Sequence, residues 1–352
     1  MGSKEEKEAS KWKGSLHISQ IPNKVNCSNN ATCLEQRIRV VNINFDGAVM
    51  IRYFIFLSTA IGFTYTYAAF VQSPAIINIE ALHKRVLENV APSPYQYHMF
   101  VIDWIFEIVH NLFGLPLYGV ITISNFLSMV FLLVVVDLWC RTVTGSSMGG
   151  VIGALYVAGS SFLMLHFHFY HPADFWGTGL FTLLLWCVAF DKLLGAVVLG
   201  VVSGLLWEKA AFAFIAYPAM HWGKRSIWRS ALLIGIACVG PQVLIRLWLG
   251  PRPDVLTGAG WGELLQGWRV SVLLQFAFLA PAGSVLMLRW KQIPRHLKVL
   301  TLYLPMLYGV YIAMHGRLKE IRSFWVLMPI LAAIVAWGLT VIERKDSLRV
   351  SQ

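Results

Sequence analysis

The chain has 352 residues, of which 57% are hydrophobic and only 13% are charged, and its mean hydropathy is +0.61. A typical soluble domain carries about 25% charged residues, so this composition excludes an ordinary soluble protein and predicts an integral membrane protein. The formal net charge of +11 is explained by membrane orientation and by binding of anionic lipid head groups. The sequence has no basic stripe with interleaved aromatic residues that would indicate nucleic-acid binding.

Residues 1–47 form a polar arm rich in Lys, Glu and Asn. The arm lacks the short apolar stretch and cleavage site of a signal peptide, so we interpret it as a polar N-terminal arm. Cys27 and Cys33 lie in this arm. Their spacing is weak evidence for a disulfide or a metal site because no second pair accompanies them, and two unrelated thiols is the simpler interpretation.

Apolar segments predict an all-α membrane domain of about ten transmembrane helices over residues 48–342, followed by a cytoplasmic tail, 343–352. Glu208 and Lys209 lie in the middle of one long apolar region, and two charges there favour a hairpin of two short helices whose tip is at an interface. The predicted spans are Ala48–Phe70, Pro116–Cys140, Gly150–Leu165, Phe175–Phe190, two within Leu193–Trp222, Ser230–Leu249, Val270–Leu288, Val299–Met314 and Phe324–Ile342.

A long amphipathic region, 71–114, separates the first two spans. Apolar residues alternate with charges at helical spacing over Ile79–Val90 and over Met99–Leu112, which is typical of helices that lie in the membrane interface. Pro92 and Pro94 end the first of these helices. Together they predict an amphipathic outer loop that caps the membrane surface.

The distribution of basic residues predicts the orientation. If the N-terminus is inside, 20 of the 29 Lys and Arg residues fall in inner segments and eight fall in outer segments. Because inner loops are enriched in Lys and Arg, this predicts a plasma-membrane protein with an even number of spans and both termini in the cytoplasm.

The same orientation places several polar candidates together on the outer face. Asp174 is the best candidate for a functional acidic residue. Pro172 can occupy the first turn of the next helix, and the dipole at the N-terminus of that helix stabilises a carboxylate. Glu208 is a second candidate, as a general base or a cation-binding group, because an acid at a bilayer boundary faces protein or water. Each has a structural alternative: Asp174 as a helix-start residue, and Glu208 with Lys209 as an interfacial anchor.

Two further outer segments are rich in functional groups. The turn 315–322 carries three cations and one acid, against the trend of basic residues on the inside, and predicts binding of a lipid phosphate or diphosphate. Surface pairing of Glu320 with its neighbouring arginines explains the composition of this turn equally well.

The stretch 166–171 carries three histidines, His166, His168 and His171. Their spacing matches no strong zinc template. An interfacial belt of aromatic and His residues is the preferred interpretation for His166 and His168.

Three short motifs follow one another along the chain: Pro94-Tyr95-Gln96-Tyr97-His98; His171-Pro172-Ala173-Asp174 followed after two spans by Leu206-Trp207-Glu208-Lys209; and Glu320-Ile321-Arg322 before Pro329. In this order they resemble the Pro-x-x-Tyr-Arg, Pro-x-Asp with Arg-Glu, and Glu-x-Arg motifs of GT-C-type membrane glycosyltransferases, which use lipid-linked sugars, and of their bacterial and archaeal relatives. The resemblance covers residues 48–342. His98 stands where those proteins have Arg, and Phe70–Pro74 lacks their usual acid after the first span.

The resemblance implies transfer of a sugar from a polyprenyl-phosphate donor to a lipid, glycan or protein acceptor at the outer face, as in polysaccharide biosynthesis. A carboxylate would deprotonate the acceptor hydroxyl, and cations would stabilise the departing lipid phosphate. The candidate bases are Asp174, Glu208 and Asp103, and the candidate substrate-binding residues are Tyr97, His98, His171, Trp176, Lys209, Arg317, Lys319, Glu320 and Arg322.

No cofactor is predicted, although the sequence is compatible with a bound divalent cation. The expected partners are membrane lipids and the lipid-linked sugar with its glycan or lipid acceptor. The competing interpretation is a transporter, flippase or scaffold for lipid-linked glycans that uses the same charges to bind its substrate. A metal-dependent hydrolase using the three histidines of 166–171 is a third interpretation.

Overall fold

The computed structural model describes residues 47–71, 79–91, 93–165, 172–206, 208–223, 226–251, 268–302 and 325–350. These residues belong to one compact unit and form helices and turns, with no strand among them. The prediction of an all-α protein is therefore confirmed over the described part of the chain.

The main helices, in chain order, are α1 Gly47–Val71, α2 Ile79–Leu87, α3 Ser93–Phe113, α4 Leu117–Thr144, α5 Ser147–Leu165, α6 Pro172–Ala189, α7 Leu193–Leu206, α8 Ala213–Met220, α9 Ile227–Leu249, α10 Trp268–Arg289 and α11 Met328–Val350. Short 3₁₀ segments occur at Glu208–Phe212 and Trp290–Gln292, and residues 295–302 are also helical.

Three helices of the described chain are long and apolar enough to cross a bilayer: Val49–Ala68 within α1, Leu117–Thr144 and Ile227–Leu249. Shorter apolar helical stretches occupy Ser147–Phe162, Ala173–Ala189, Leu193–Leu206 and Met328–Val341. In α9 the exposed side chains of Trp228 and Trp248 stand twenty residues apart, about 30 Å along a helix, which matches the thickness of a hydrocarbon core. Trp at each end of an apolar helix is typical of a membrane span.

Helix ends differ from the sequence expectation where local backbone chemistry decides them. α2 stops at Leu87 because Asn89 adopts a left-handed backbone, with φ of +58°, that closes the turn. Pro94 lies in the first turn of α3, where its missing N–H costs nothing, so it helps to start that helix. α11 continues to Val350, beyond the predicted end of the last span.

Glycines bring α4 and α5 into close contact. A Cβ on Gly150 would lie 2.2 Å from Asp137 Oδ1, and one on Gly153 would lie 2.3 Å from Cys140 Sγ. Either distance is far below van der Waals contact, so these helices approach closely only because both positions lack a side chain.

A cluster of charged side chains connects α4 and α5 to α1 near the same close contact. Asp137 is fully buried in α4 and contacts Arg141 Nη2 at 2.5 Å and Arg52 Nε of α1 at 3.6 Å. Arg52 also donates hydrogen bonds to the carbonyl and the hydroxyl of Ser147, at the start of α5. This cluster ties α1, α4 and α5 together, and the sequence analysis did not single out Asp137.

The predicted division of Leu193–Trp222 into two short helices is confirmed. α7 ends at Leu206, the 3₁₀ segment turns the chain, and α8 returns so that Tyr217 donates a 2.6 Å hydrogen bond to Asp191 Oδ1, beside the start of α7. The 14 residues of α7 extend about 21 Å, less than the roughly 30 Å of a hydrocarbon core. Gly204 packs against α9, where an added Cβ would lie 2.3 Å from the Cys238 carbonyl oxygen.

Candidate functional site

Asp174 lies in the first turn of α6, which begins at Pro172 as the sequence predicted. Its carboxylate is largely buried, with 9% of the residue exposed. The peptide dipoles of α6 point their positive end at this position and stabilise a negative charge there. Thr178 donates its hydroxyl to the Asp174 carbonyl and so lies on the same side of the helix.

Three polar side chains from other helices lie around the Tyr67 hydroxyl of α1, and with it they form what we call the polar cluster: Tyr67, Tyr118, Asn125 and Asp174. Tyr67 belongs to α1; Asn125 of α4 approaches its hydroxyl, and Tyr118 and Asp174 lie within electrostatic range of it. Tyr118 also donates to the Ala68 carbonyl at 3.4 Å, which joins α4 to the end of α1. Tyr118 and Asn125 are seven residues apart and therefore share one face of α4.

Buried aromatic rings pack directly beside the polar cluster. Phe175, next to Asp174 in α6, packs edge-to-face on Phe63 with ring centroids 5.0 Å apart and on Trp325 at 5.1 Å. All three rings are fully buried. Such rings exclude water from one side of the cluster and lower the local dielectric, which strengthens the electrostatic interactions of the Asp174 carboxylate.

An apolar cleft of about 500 Å³ lies on the face of α4 that carries Val120, Ser124 and Leu127, with walls supplied mainly by α3 and α4. Trp176 of α6 and Ser124 of α4 line it, and Trp176 Nε1 donates a 3.1 Å hydrogen bond to the Ser124 hydroxyl. One side of the Trp176 ring contacts Phe131, with centroids 5.2 Å apart. Because consecutive residues of a helix point about 100° apart, the cleft and the polar cluster lie on different faces of α4.

Asp103, the third candidate base, lies elsewhere, between α2 and α3. Its Oδ1 is 3.2 Å from His83 Nδ1, while the other ring nitrogen, Nε2, lies 3.3 Å from Glu107 Oε2. His83 and Asp103 are both buried. Burial lowers the pKa of His83, but hydrogen bonds and charge from Asp103 and then Glu107 outweigh it, so its pKa lies above 6.5. We call these three residues the His83 clamp.

Glu107 completes the clamp at its exposed side. The hydrogen bond from Asn111, at 3.0 Å, and the one from His83 lower the pKa of the Glu107 carboxyl below its ordinary value of 4.5. The clamp therefore stacks a buried acid, an imidazole and an exposed acid, an arrangement that fastens α2 onto α3. Asp103 is engaged in this structural contact.

The hairpin tip carries the next candidates. Lys209 is buried in the 3₁₀ segment after α7. Glu208 opens that segment, and its side chain is outside the described residues, as are those of Tyr97 and His98 in α3. The remaining candidates lie in undescribed segments: His171, Arg317, Lys319, Glu320 and Arg322. The other two histidines of 166–171, His166 and His168, lie there too.

Within the described ranges, no group of three or more His, Cys, Asp or Glu side chains is arranged to hold a metal ion. No protein-family model matches the chain, and neither curated proteins nor solved structures give a significant match.

Sequence reasoning missed three members of the polar cluster, Tyr67, Tyr118 and Asn125. Asn125 is a polar residue inside an otherwise apolar span, and that alone would have marked it, because polar groups within a membrane segment are costly and tend to be functional. Tyr67 gave no such signal, since Tyr near the end of a span is ordinary.

Proposed function

We propose that this is a multi-pass membrane glycosyltransferase that transfers a sugar from a polyprenyl-phosphate donor to a hydroxyl acceptor at the outer end of the bundle. The observation that supports it best is the largely buried Asp174 carboxylate at the N-terminus of α6, within the polar cluster and two residues from Trp176, which lines an apolar cleft. A lipid-linked sugar needs both: an apolar surface for its chain and a water-poor polar site for the chemistry.

The reaction follows from the proposed roles. Asp174 accepts the proton of the acceptor hydroxyl, whose oxygen forms a bond to the anomeric carbon of the sugar. The bond between that carbon and the phosphate oxygen breaks, and polyprenyl phosphate leaves with the electron pair. Lys209 and the turn containing Arg317, Lys319 and Arg322 would stabilise its charge.

The apolar cleft gives the donor or acceptor chain a place to lie. Its lining residues from α3 and α4 are almost all apolar, and Trp176 borders it close to Asp174. Trp176 would stack on the sugar with the side of its ring that does not face Phe131. α3 carries exposed apolar side chains, among them Trp104, Ile108 and Leu112, on the face opposite the His83 clamp, which suits a helix lying on the membrane.

The proposal is tested by incubating purified protein with polyprenyl-phosphate sugars and measuring released polyprenyl phosphate. Asp174→Asn should lower turnover about 100- to 10,000-fold, since loss of a general base has that effect. Asp191→Asn is the matched control, because that carboxylate lies in the α6–α7 turn at the other end of α6. Wild-type protein that binds the lipids but releases no polyprenyl phosphate from several donors would make the enzyme proposal wrong.

A transporter or flippase of lipid-linked glycans is the second candidate, and the α7–α8 hairpin favours it. Two short helices with a buried Lys209 at their tip resemble the broken helices that bind substrates within transporters. Proteoliposomes holding a fluorescent polyprenyl phosphate distinguish the two functions, because a flippase exposes inner-leaflet lipid to an external quencher without cleaving it.

The proposed topology places both termini in the cytoplasm, and the polar cluster and α3 outside. Single Cys substitutions at Asn111 and at Ser226, tested with a membrane-impermeant maleimide in intact cells, should label only the first of these positions. Labelling with the opposite pattern would invert the orientation.

A further inference from the structure

A short segment at the end of α10, residues 289–298, carries only positive charge, and we call it the basic turn. Its cations are Arg289, Lys291, Arg295 and Lys298. The described residues from 268 to 302 contain no Asp or Glu. Within the described ranges, none of the four cations forms an ion pair with an acid from another helix. The charge of the basic turn is therefore not balanced by the described part of the protein.

The basic turn is held against the fold in a defined conformation. Ile293 and Leu297 are buried in the main hydrophobic core. Lys298 Nζ lies 5.7 Å from the centre of the Trp290 ring and donates a 3.4 Å hydrogen bond to the Lys291 carbonyl. Because these contacts already order the segment, a ligand that binds it loses little free energy to ordering the chain.

Apolar side chains are exposed directly beside the exposed cations Lys291 and Arg295. Met287 and Leu288, at the end of α10, expose 87% and 82% of their surface, and Trp290 is 40% exposed. Apolar residues at the end of a helix contact lipid chains in a bilayer, and Trp is typical of the boundary with the head groups. The chain thus passes from hydrocarbon depth to head-group depth within a few residues.

This order of exposed groups restricts the class of partner. A nucleic acid or an acidic protein would contact the cations but leave Met287 and Leu288 in water. A zwitterionic lipid would cover the apolar side chains but bring no net negative charge. An anionic phospholipid satisfies both, because its acyl chains cover the apolar residues while its phosphate accepts hydrogen bonds from Lys and Arg.

We infer that the basic turn binds the head group of an anionic phospholipid, with Lys291 and Arg295 as its principal contacts. The site is separate from the polar cluster. α10 packs on α11 at Gly338, where an added Cβ would lie 2.4 Å from Val285, whereas Trp325, one of the rings beside the polar cluster, precedes the start of α11. The inference therefore goes beyond the proposed function, and in the proposed topology it places the anionic lipid in the cytoplasmic leaflet.

Binding is tested with phosphatidylglycerol and phosphatidylcholine that carry the same fluorescent acyl chain, since these probes differ only in the head group. Their affinity for the purified full chain in dodecyl maltoside micelles is measured by fluorescence anisotropy. Each Lys or Arg near an anionic head group contributes a factor of about five in affinity. Wild type should therefore prefer phosphatidylglycerol about 30-fold, and Lys291→Gln/Arg295→Gln should bind the two probes within about threefold of each other. Each single variant should bind phosphatidylglycerol about fivefold more weakly than wild type.

Lys84→Gln/Arg85→Gln is the matched control, because it removes the same two charges from exposed positions of α2, where Glu88 pairs with Lys84. It should leave the preference for phosphatidylglycerol unchanged. Both double variants should keep the Tm of wild type, since the substituted side chains are exposed. The wild-type preference should fall in about 1 M NaCl, where the Debye length is ~3 Å.

Five results would overturn the inference. Equal binding of the two lipids by wild type would mean that the basic turn does not recognise head-group charge. A preference retained in Lys291→Gln/Arg295→Gln would place the anion elsewhere, and an equal loss in the α2 control would mean attraction by the overall net charge. Displacement of the probe by glycerol phosphate as efficiently as by unlabelled phosphatidylglycerol would make this a site for a soluble phosphate. A folding defect in Lys291→Gln/Arg295→Gln would make the two cations structural.

Discussion

Asp103→Asn is expected to loosen the outer loop in a manner that depends on pH. The substitution removes the carboxylate that lies 3.2 Å from the buried His83 ring, and it leaves Glu107 as the only anion of the clamp. Because α2 is nine residues long and is too short to be stable alone, its helix depends on such tertiary contacts with α3.

The size of the effect is set by the ability of histidine to lose its proton. Removing one partner of a buried ion pair costs about 3–5 kcal/mol when the remaining charge cannot be neutralised. His83 can instead become neutral, at about 1.4 kcal/mol for each unit by which its pKa exceeds the pH. We therefore expect Asp103→Asn to lower the free energy of unfolding by about 1–3 kcal/mol near pH 6.

The pH dependence follows from the direction of each pKa. The pKa of His83 is raised, so its contribution is complete below 6.5, its ordinary value, and is lost as the pH rises through the higher folded-state pKa. The pKa of Glu107 is lowered, so its contribution is present above 4.5 and is lost as the pH falls through the folded-state pKa. The clamp should be strongest between about pH 4.5 and 6.5, and the difference between variant and wild type should shrink at higher pH.

The assay is hydrogen exchange of residues 79–91 at pH 6 and pH 9, together with Tm over the same range. Glu88→Gln is the control. Glu88 follows α2 and pairs with Lys84 of that helix, but both side chains are exposed, so the pair should contribute almost nothing to the free energy of unfolding. Equal effects of Asp103→Asn and Glu88→Gln, or an effect of Asp103→Asn that does not change with pH, would refute the reasoning. Loss of turnover by a variant with unchanged exchange would instead favour Asp103 as the base.

Three further substitutions test the packing. Asp137→Asn should lower stability by about 3–5 kcal/mol in a denaturant titration, because the buried Arg52 and the partly buried Arg141 cannot lose their protons; a cost below that of an exposed pair would contradict this. Gly153→Ala should cost about 1–3 kcal/mol in the same titration, whereas Gly159→Ala, with open space around its Cβ position, should be neutral or stabilising, and equal effects would refute the close α4–α5 contact. Tyr217→Phe should cost about 1.5 kcal/mol and increase protease cleavage at the α8–α9 turn, and unchanged cleavage would argue against the hairpin closure.

Local sequence signals predicted the features that depend on neighbouring residues. Pro172 followed by Asp174 predicted the start of α6, because both Pro and an acid are favoured in the first turn of a helix. The pair Glu208 and Lys209 predicted the hairpin, because charges do not remain within an apolar span. In both cases the information lies within a few residues.

Contacts between distant residues could not be predicted in the same way. His83 and Asp103 meet because α2 folds back on α3, and the angle of that turn depends on the left-handed backbone of Asn89, which no hydrophobic pattern specifies. Arg52 and Asp137 are 85 residues apart, and the sequence offered only the general rule that buried charges pair. A lone Arg near the start of an apolar span ordinarily reaches the membrane surface, whereas Arg52 lies buried against α4 and α5.

The described carboxylates differ in what protonation would do to them, and this difference favours Asp174 as the base. A general base must gain and lose a proton in every cycle. Protonating Asp137 would leave two arginines without a counter-charge, and protonating Asp103 would weaken the clamp that holds α2. Asp174 lies near the Tyr67 hydroxyl at the N-terminus of α6, and it belongs to neither of these two structural contacts. The proposed base is therefore a carboxylate on which neither the α1–α4–α5 contact nor the His83 clamp depends.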